Sequence, residues 1–160
     1  MKPGLAYLLA VALLPACDPG SLYDNPVQLA DGGVFVCEPE TSPMGTGYHN
    51  PGMACLTSGC HANGGGPAFT VAGTVFVNET TATPAPGATV VVVDGDGTRF
   101  ELVTAQNGNF WTNQPMVFPI LVKASQCPHD NPMISLSQTG DCNAGNCHGP
   151  TFRVALQSPM

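Results

Sequence analysis

The sequence predicts a mainly β fold, a small antiparallel β-sandwich, on three observations. Short runs rich in β-branched residues recur between residues 69 and 125, Gly- and Pro-rich turns separate them, and hardly any stretch carries an uninterrupted helical period. With 19 Gly and 16 Pro among 160 residues, the chain is punctuated too often for long helices.

Each element follows in order. Thr70-Val71-Ala72-Gly73-Thr74-Val75-Phe76-Val77 is expected as the first strand. Pro84-Ala85-Pro86-Gly87 is a turn before the strand Ala88-Thr89-Val90-Val91-Val92-Val93. Asp94-Gly95-Asp96-Gly97 reads as a hairpin turn, since it lacks the further ligands and closing Glu of a calcium loop. In Arg99-Phe100-Glu101-Leu102-Val103-Thr104 charges alternate with apolar residues, as on a half-exposed strand. The turn Asn107-Gly108 precedes Asn109-Phe110-Trp111-Thr112, where Trp111 beside Phe110 is expected to fill the core. Ile120-Leu121-Val122-Lys123-Ala124 is the last strand of the sandwich.

The segments outside the sandwich have different characters. Lys2, the apolar run from Leu5 to Leu14 and the sequence Leu14-Pro15-Ala16-Cys17 read as an export signal, too short to span a membrane comfortably. The run ending in a small residue and Cys17 resembles the bacterial lipobox, which implies removal of residues 1–16 and acylation of Cys17. Residues 17–51, punctuated by Pro and Gly, are expected to be a tether with at most a short strand at Val34-Phe35-Val36. Residues 52–68 and 126–160 flank the sandwich as two candidate cofactor-binding segments.

Composition narrows the function. Only 9% of residues are charged, and a net charge of -7 comes with four basic residues. The chain therefore lacks a basic patch for nucleic acid or an anionic lipid surface, and membrane attachment would come only through the lipid on Cys17. No Ser-His-Asp or paired-carboxylate constellation can be assembled, and Gly64-Gly65-Gly66 has no following Lys-Ser/Thr to make a phosphate loop. An enzyme is not expected.

Chemistry concentrates instead in a repeated pattern, Cys55-Leu56-Thr57-Ser58-Gly59-Cys60-His61 and Cys142-Asn143-Ala144-Gly145-Asn146-Cys147-His148. Two thiols followed directly by an imidazole can hold haem covalently, each Cys adding to a vinyl group and the His ligating the iron. The chain has four histidines, which match two bis-His haems: His61 and His148 from the motifs, with His49 and His129 as second ligands. Met53 and Met133 compete for that second position. Two alternatives remain open: local disulfides Cys55–Cys60 and Cys142–Cys147, or a zinc site of motif thiols with or without His61 and His148. Outside the motifs, Cys37 and Cys127 are expected to form a disulfide.

The C-x4-C-H spacing resembles sites in some low-potential multihaem cytochromes c. The segments "AGTVFV", "PAPGATVVVVDGDGTRFELVTAQNGNFW" and "FPILVKA" resemble the carboxypeptidase-regulatory or transthyretin-like β-sandwich, over roughly residues 69–125. That resemblance implies a structural or binding module, and with the motif cysteines as disulfides the alternative function is a cofactor-free, disulfide-stapled surface-binding lipoprotein module. The whole order, His-Asn-Pro-Gly, a Cys-Cys-His motif, the sandwich and a closing Gly-Asp-Cys-Asn with Cys-His, resembles exported bacterial dihaem c-type cytochrome lipoproteins. It implies two covalent haems c, electron transfer with redox partner proteins, and a location on the membrane facing the periplasm or the cell surface.

Overall fold

The structure is a computed structural model and describes residues 49–133, 135–145 and 148–157. The signal sequence, Cys17, most of the expected tether, Cys37 and Cys147 lie outside the described residues. Among the described residues the chain forms strands and no helix, so the mainly β class is as expected. The strands are β1 (Val71–Thr74), β2 (Phe76–Asn78), β3 (Thr89–Val93), β4 (Arg99–Val103), β5 (Asn109–Thr112), β6 (Leu121–Gln126), β7 (His129–Pro132) and β8 (Ala155–Gln157).

The strands form three small sheets. An antiparallel sheet runs in the order β4-β3-β6-β7, β1 pairs antiparallel with β5, and β2 pairs parallel with β8. The single strand expected over residues 70–77 is split at Val75. Its amide leaves the β1 ladder to donate to Gly108 O at 2.9 Å, and its carbonyl accepts from Ala85 N at 3.0 Å. The chain thereby passes from one pairing partner to another.

The Val-rich strand β3 sits inside the four-stranded sheet, which is why it carries no polar alternation. Val90 and Val92 lie opposite Ala124 and Val122 of β6, and this face packs on Val71, Phe110 and Leu156 from the two smaller sheets and on Val75 between β1 and β2. A second cluster forms around Val91, Val93 and Leu121. Lys123, opposite Val91, is 2% exposed and paired with Asp130 at 3.1 Å. A buried ammonium is tolerated only with such a partner.

The Asp94–Gly97 segment is the expected turn between β3 and β4. Asp94 Oδ1 accepts from the amides of Asp96 and Thr98, at 3.1 and 2.8 Å. Two expectations are corrected. Trp111 is half-buried outside the core: successive strand residues face opposite ways, so Phe110, 1% exposed, packs in the core while Trp111 turns to Phe69 and the cavity. Residues 126–160, expected to be irregular, contain β7, a short polar strand, and β8, a short one with buried Ala155 and Leu156, which take their place by pairing with β6 and β2.

Candidate functional site

The first motif follows no regular element, and backbone hydrogen bonds coil it on itself. His61 N donates to Cys55 O at 3.1 Å and Cys60 N to Thr57 O at 3.0 Å, bringing the ends of the four-residue spacer together. Beside this coil opens a cavity of about 710 Å³. Its wall includes Cys55, Cys60, His61, His49 and Met53, and Phe69 and Trp111 supply an aromatic side.

His61 is held on three sides. Its Nδ1 lies 2.8 Å from Pro67 O, and since a carbonyl only accepts, Nδ1 carries the proton and Nε2 presents its lone pair. The ring stacks on Phe69 at 4.1 Å between centroids with a 17° interplanar angle. A Cβ on Gly66 would come within 2.9 Å of the ring, so a side chain there would displace it. A hydrogen bond from the remote nitrogen that fixes tautomer and orientation is the usual support for a metal-ligating imidazole.

His49 approaches from the opposite side, its Nε2 3.3 Å from His61 Nε2. The ring centroids are 5.6 Å apart. That excess over the tip separation is about two ring radii, so the rings meet end on. Two metal–nitrogen bonds in line need about 4 Å between tips, only a little more than the gap present. Met53 also lines the cavity and is 63% exposed. Met133 packs against the hydrophobic clusters and is not part of the cavity wall.

The second motif contributes to this site through the side chains on either side of Cys142. Residues 140–142 run along β1, with Ala72 N donating to Gly140 O and Cys142 N to Ala72 O, each at 2.9 Å. From there Asp141 accepts from Cys55 N at 3.1 Å through Oδ1 and from Leu56 N at 2.9 Å through Oδ2. Asn143, 6% exposed, donates to Met53 O and to Thr74 Oγ1, both at 3.1 Å. Thr74 Oγ1 accepts from Gly52 N at 2.8 Å and donates to Asn109 Oδ1 at 2.7 Å, and Asn109 Nδ2 donates to His49 O at 2.7 Å. One polar network thus joins the second motif, β1, β5 and the first motif.

Cys55, Cys60 and Cys142 are free thiols. The local staple Cys55–Cys60 is therefore not formed. Burial, then the Asp141 carboxylate and the Cys60 thiol, push the Cys55 thiol up to about 11. Burial, then Asp141 and the Cys55 thiol, push Cys142 up to about 12. Cys127 is disulfide-bonded with a partner outside the described residues; the expected pairing with Cys37 lies there too. Among the described residues no three His, Cys, Asp or Glu side chains gather as they would around zinc.

The remaining expected ligands are placed elsewhere. His148 stacks on Phe152 at 5.4 Å with its Nδ1 buried and unpartnered, and burial holds its pKa below the ordinary value, a backbone bond at Phe152 only partly offsetting this. His129 sits in β7 with its Nε2 2.8 Å from the Gln157 amide nitrogen. Neither lines the cavity. Sequence reasoning found His49, Cys55, Cys60 and His61 but missed Phe69, Pro67, Thr74, Asn109, Asp141 and Asn143. For Asp141 and Asn143 a signal existed, since they flank Cys142.

These features can be tested against a haem. The cavity offers two thiols, two opposed imidazole nitrogens and an aromatic wall, groups of the kind that hold a covalently attached haem. No protein-family model, curated protein or solved structure matches the chain.

Proposed function

We propose that this protein is an exported electron carrier holding two covalent c-type haems. One would sit in the cavity on Cys55 and Cys60, with His61 and His49 as axial ligands. The other would be carried by Cys142, Cys147 and His148, with His129 as its further candidate ligand. The single observation that carries the reading is the end-on opposition of His49 and His61 beside two free thiols. The repeat of the motif supports the second haem, and the export signal with Cys17 supports a lipid-anchored location facing the periplasm or cell surface.

When bound, the haem supplies an iron that changes oxidation state by one electron without a substrate pocket. The chain's own residues do the rest. Pro67 fixes the His61 tautomer, Phe69 its ring plane, and Asn109 the backbone of His49. With His61 and His49 both holding the iron, an exogenous ligand would find no free position, which would favour electron transfer with partner proteins over catalysis.

An absorption spectrum with intact mass on the exported protein, made in a host that attaches haem c, tests this. Sharp reduced-state bands and the added mass of two haems are expected. A colourless chain without added mass would refute it.

A further inference from the structure

We propose that Asp141 is the positioning residue of the first site, so that the second motif's loop builds the first motif's binding geometry, a role that rests on the haem reading above. Asp141 directly precedes Cys142, yet both carboxylate oxygens are spent on the first motif, on the amides of Cys55 and Leu56. These amides flank the thiol that faces the cavity. A carboxylate taking two successive backbone N–H groups fixes the direction of the peptide between them, and hence where the Cys55 side chain leaves the chain.

The clamp has its own support. Asp141 forms a parallel bridge with Ala72 of β1. Its Oδ1 also accepts from Asn143 N at 3.3 Å, and the Asn143 side chain holds Met53 O two residues before Cys55. Residues 86 positions apart in sequence are thus fastened by a charge-assisted contact. The same carboxylate has an electrostatic consequence: a negative charge beside the first site favours the more positive, oxidised iron and lowers the potential there.

Amide hydrogen exchange on the full haem-free chain, followed by redox titration of the loaded chain, tests the role. Hydrogen bonds to a charged group are worth about 1.5–3 kcal/mol, so Asp141→Asn is expected to speed exchange at Cys55 and Leu56 roughly tenfold to a hundredfold, with β3 and β6 unchanged. Unchanged exchange at those two amides would overturn the proposal. If Asp141→Asn loses protection throughout the sheets, Asp141→Glu decides. It keeps both oxygens and is expected to retain protection at the two amides, and their exposure with intact strands would count against the clamp.

In the loaded chain Asp141→Asn is expected to shift the first haem's midpoint upward, whereas Asn143→Ala, which leaves the charge in place, is not. Equal midpoints in wild type and Asp141→Asn would remove the electrostatic role. A wild-type chain that attaches no haem would overturn the haem-site role, while exchange at Cys55 and Leu56 would still report the clamp, so the two failures are told apart.

Discussion

His49 and His61 point their Nε2 atoms at each other across 3.3 Å, ring end to ring end, in the wall of a cavity that Cys55 and Cys60 also line. Removing one of the pair separates ligation from attachment. In the loaded protein, His49→Ala is expected to keep its covalent haem but convert it from low to high spin and open the reduced iron to carbon monoxide. His61→Ala should likewise lose the low-spin signature. Unchanged spectra in both variants would show that the opposition of the two rings has no ligating role.

Thr74 is fully buried and joins three partners through one hydroxyl. Thr74→Val keeps the shape and leaves the Gly52 amide and the Asn143 side chain each short of an acceptor. A loss of about 2–3 kcal/mol is expected in urea unfolding of the haem-free chain. Thr74→Ser retains the hydroxyl and should recover most of it. Equal stability of the valine variant and wild type would mean that the network contributes nothing.

Gly73 is required by close approach: a Cβ there would lie 2.8 Å from both Cys142 Cβ and Phe110 Cζ. Phe110 is fixed in the core and Cys142 is pinned to β1, so neither yields easily. Gly73→Ala is expected to destabilise by about 1–3 kcal/mol, as overpacking does. Thermal melts of the two chains measure it, and a melting temperature at or above wild type would contradict the contact.

The raised thiols give the haem-free chain an alkaline signature. Unfolded, Cys55 and Cys142 release their protons near the ordinary 9.0; folded, they hold them to about 11 and about 12. Above pH 9 the native state therefore binds more protons than the unfolded state, so stability falls as pH rises. Below that pH the contribution is fully present. Denaturant titrations from pH 7 to 11 should show the decline, and the double variant Cys55→Ser, Cys142→Ser should show less of it. Identical slopes would mean that the thiols titrate normally.

The sheets were largely legible because their signals are local. β-branched runs between Gly turns locate β3, β4, β5 and β6 to within a residue or two. The split at Val75 was not, because it depends on amide and carbonyl partners at Gly108 and Ala85, which no local pattern announces. β7 and β8 were missed for a related reason: His129–Pro132 and Ala155–Gln157 are short and carry little β-propensity, and tertiary pairing makes them strands. Trp111 is not where its aromaticity suggests, because it lies on the opposite side of β5 from Phe110 and lines the cavity with Phe69. For the site, the residue types named His49, Cys55, Cys60 and His61. Of their supports, Pro67 acts through its own carbonyl, while the Asn109 and Asp141 side chains reach backbone atoms 60 and 86 positions away, and pairings across such distances leave almost no trace in the local pattern.

The parallel pairing of β2 with β8 sets an order of events in time. Chains leave the ribosome from the N-terminus, so residues 76–78 wait for residues 155–157, the last described stretch, before their sheet can close. Both Cys-Cys-His motifs have emerged by then. Every motif thiol is therefore made before the strand that pairs with β2. Until residues 155–157 arrive, residues 76–78 lack the partner they have in the folded chain.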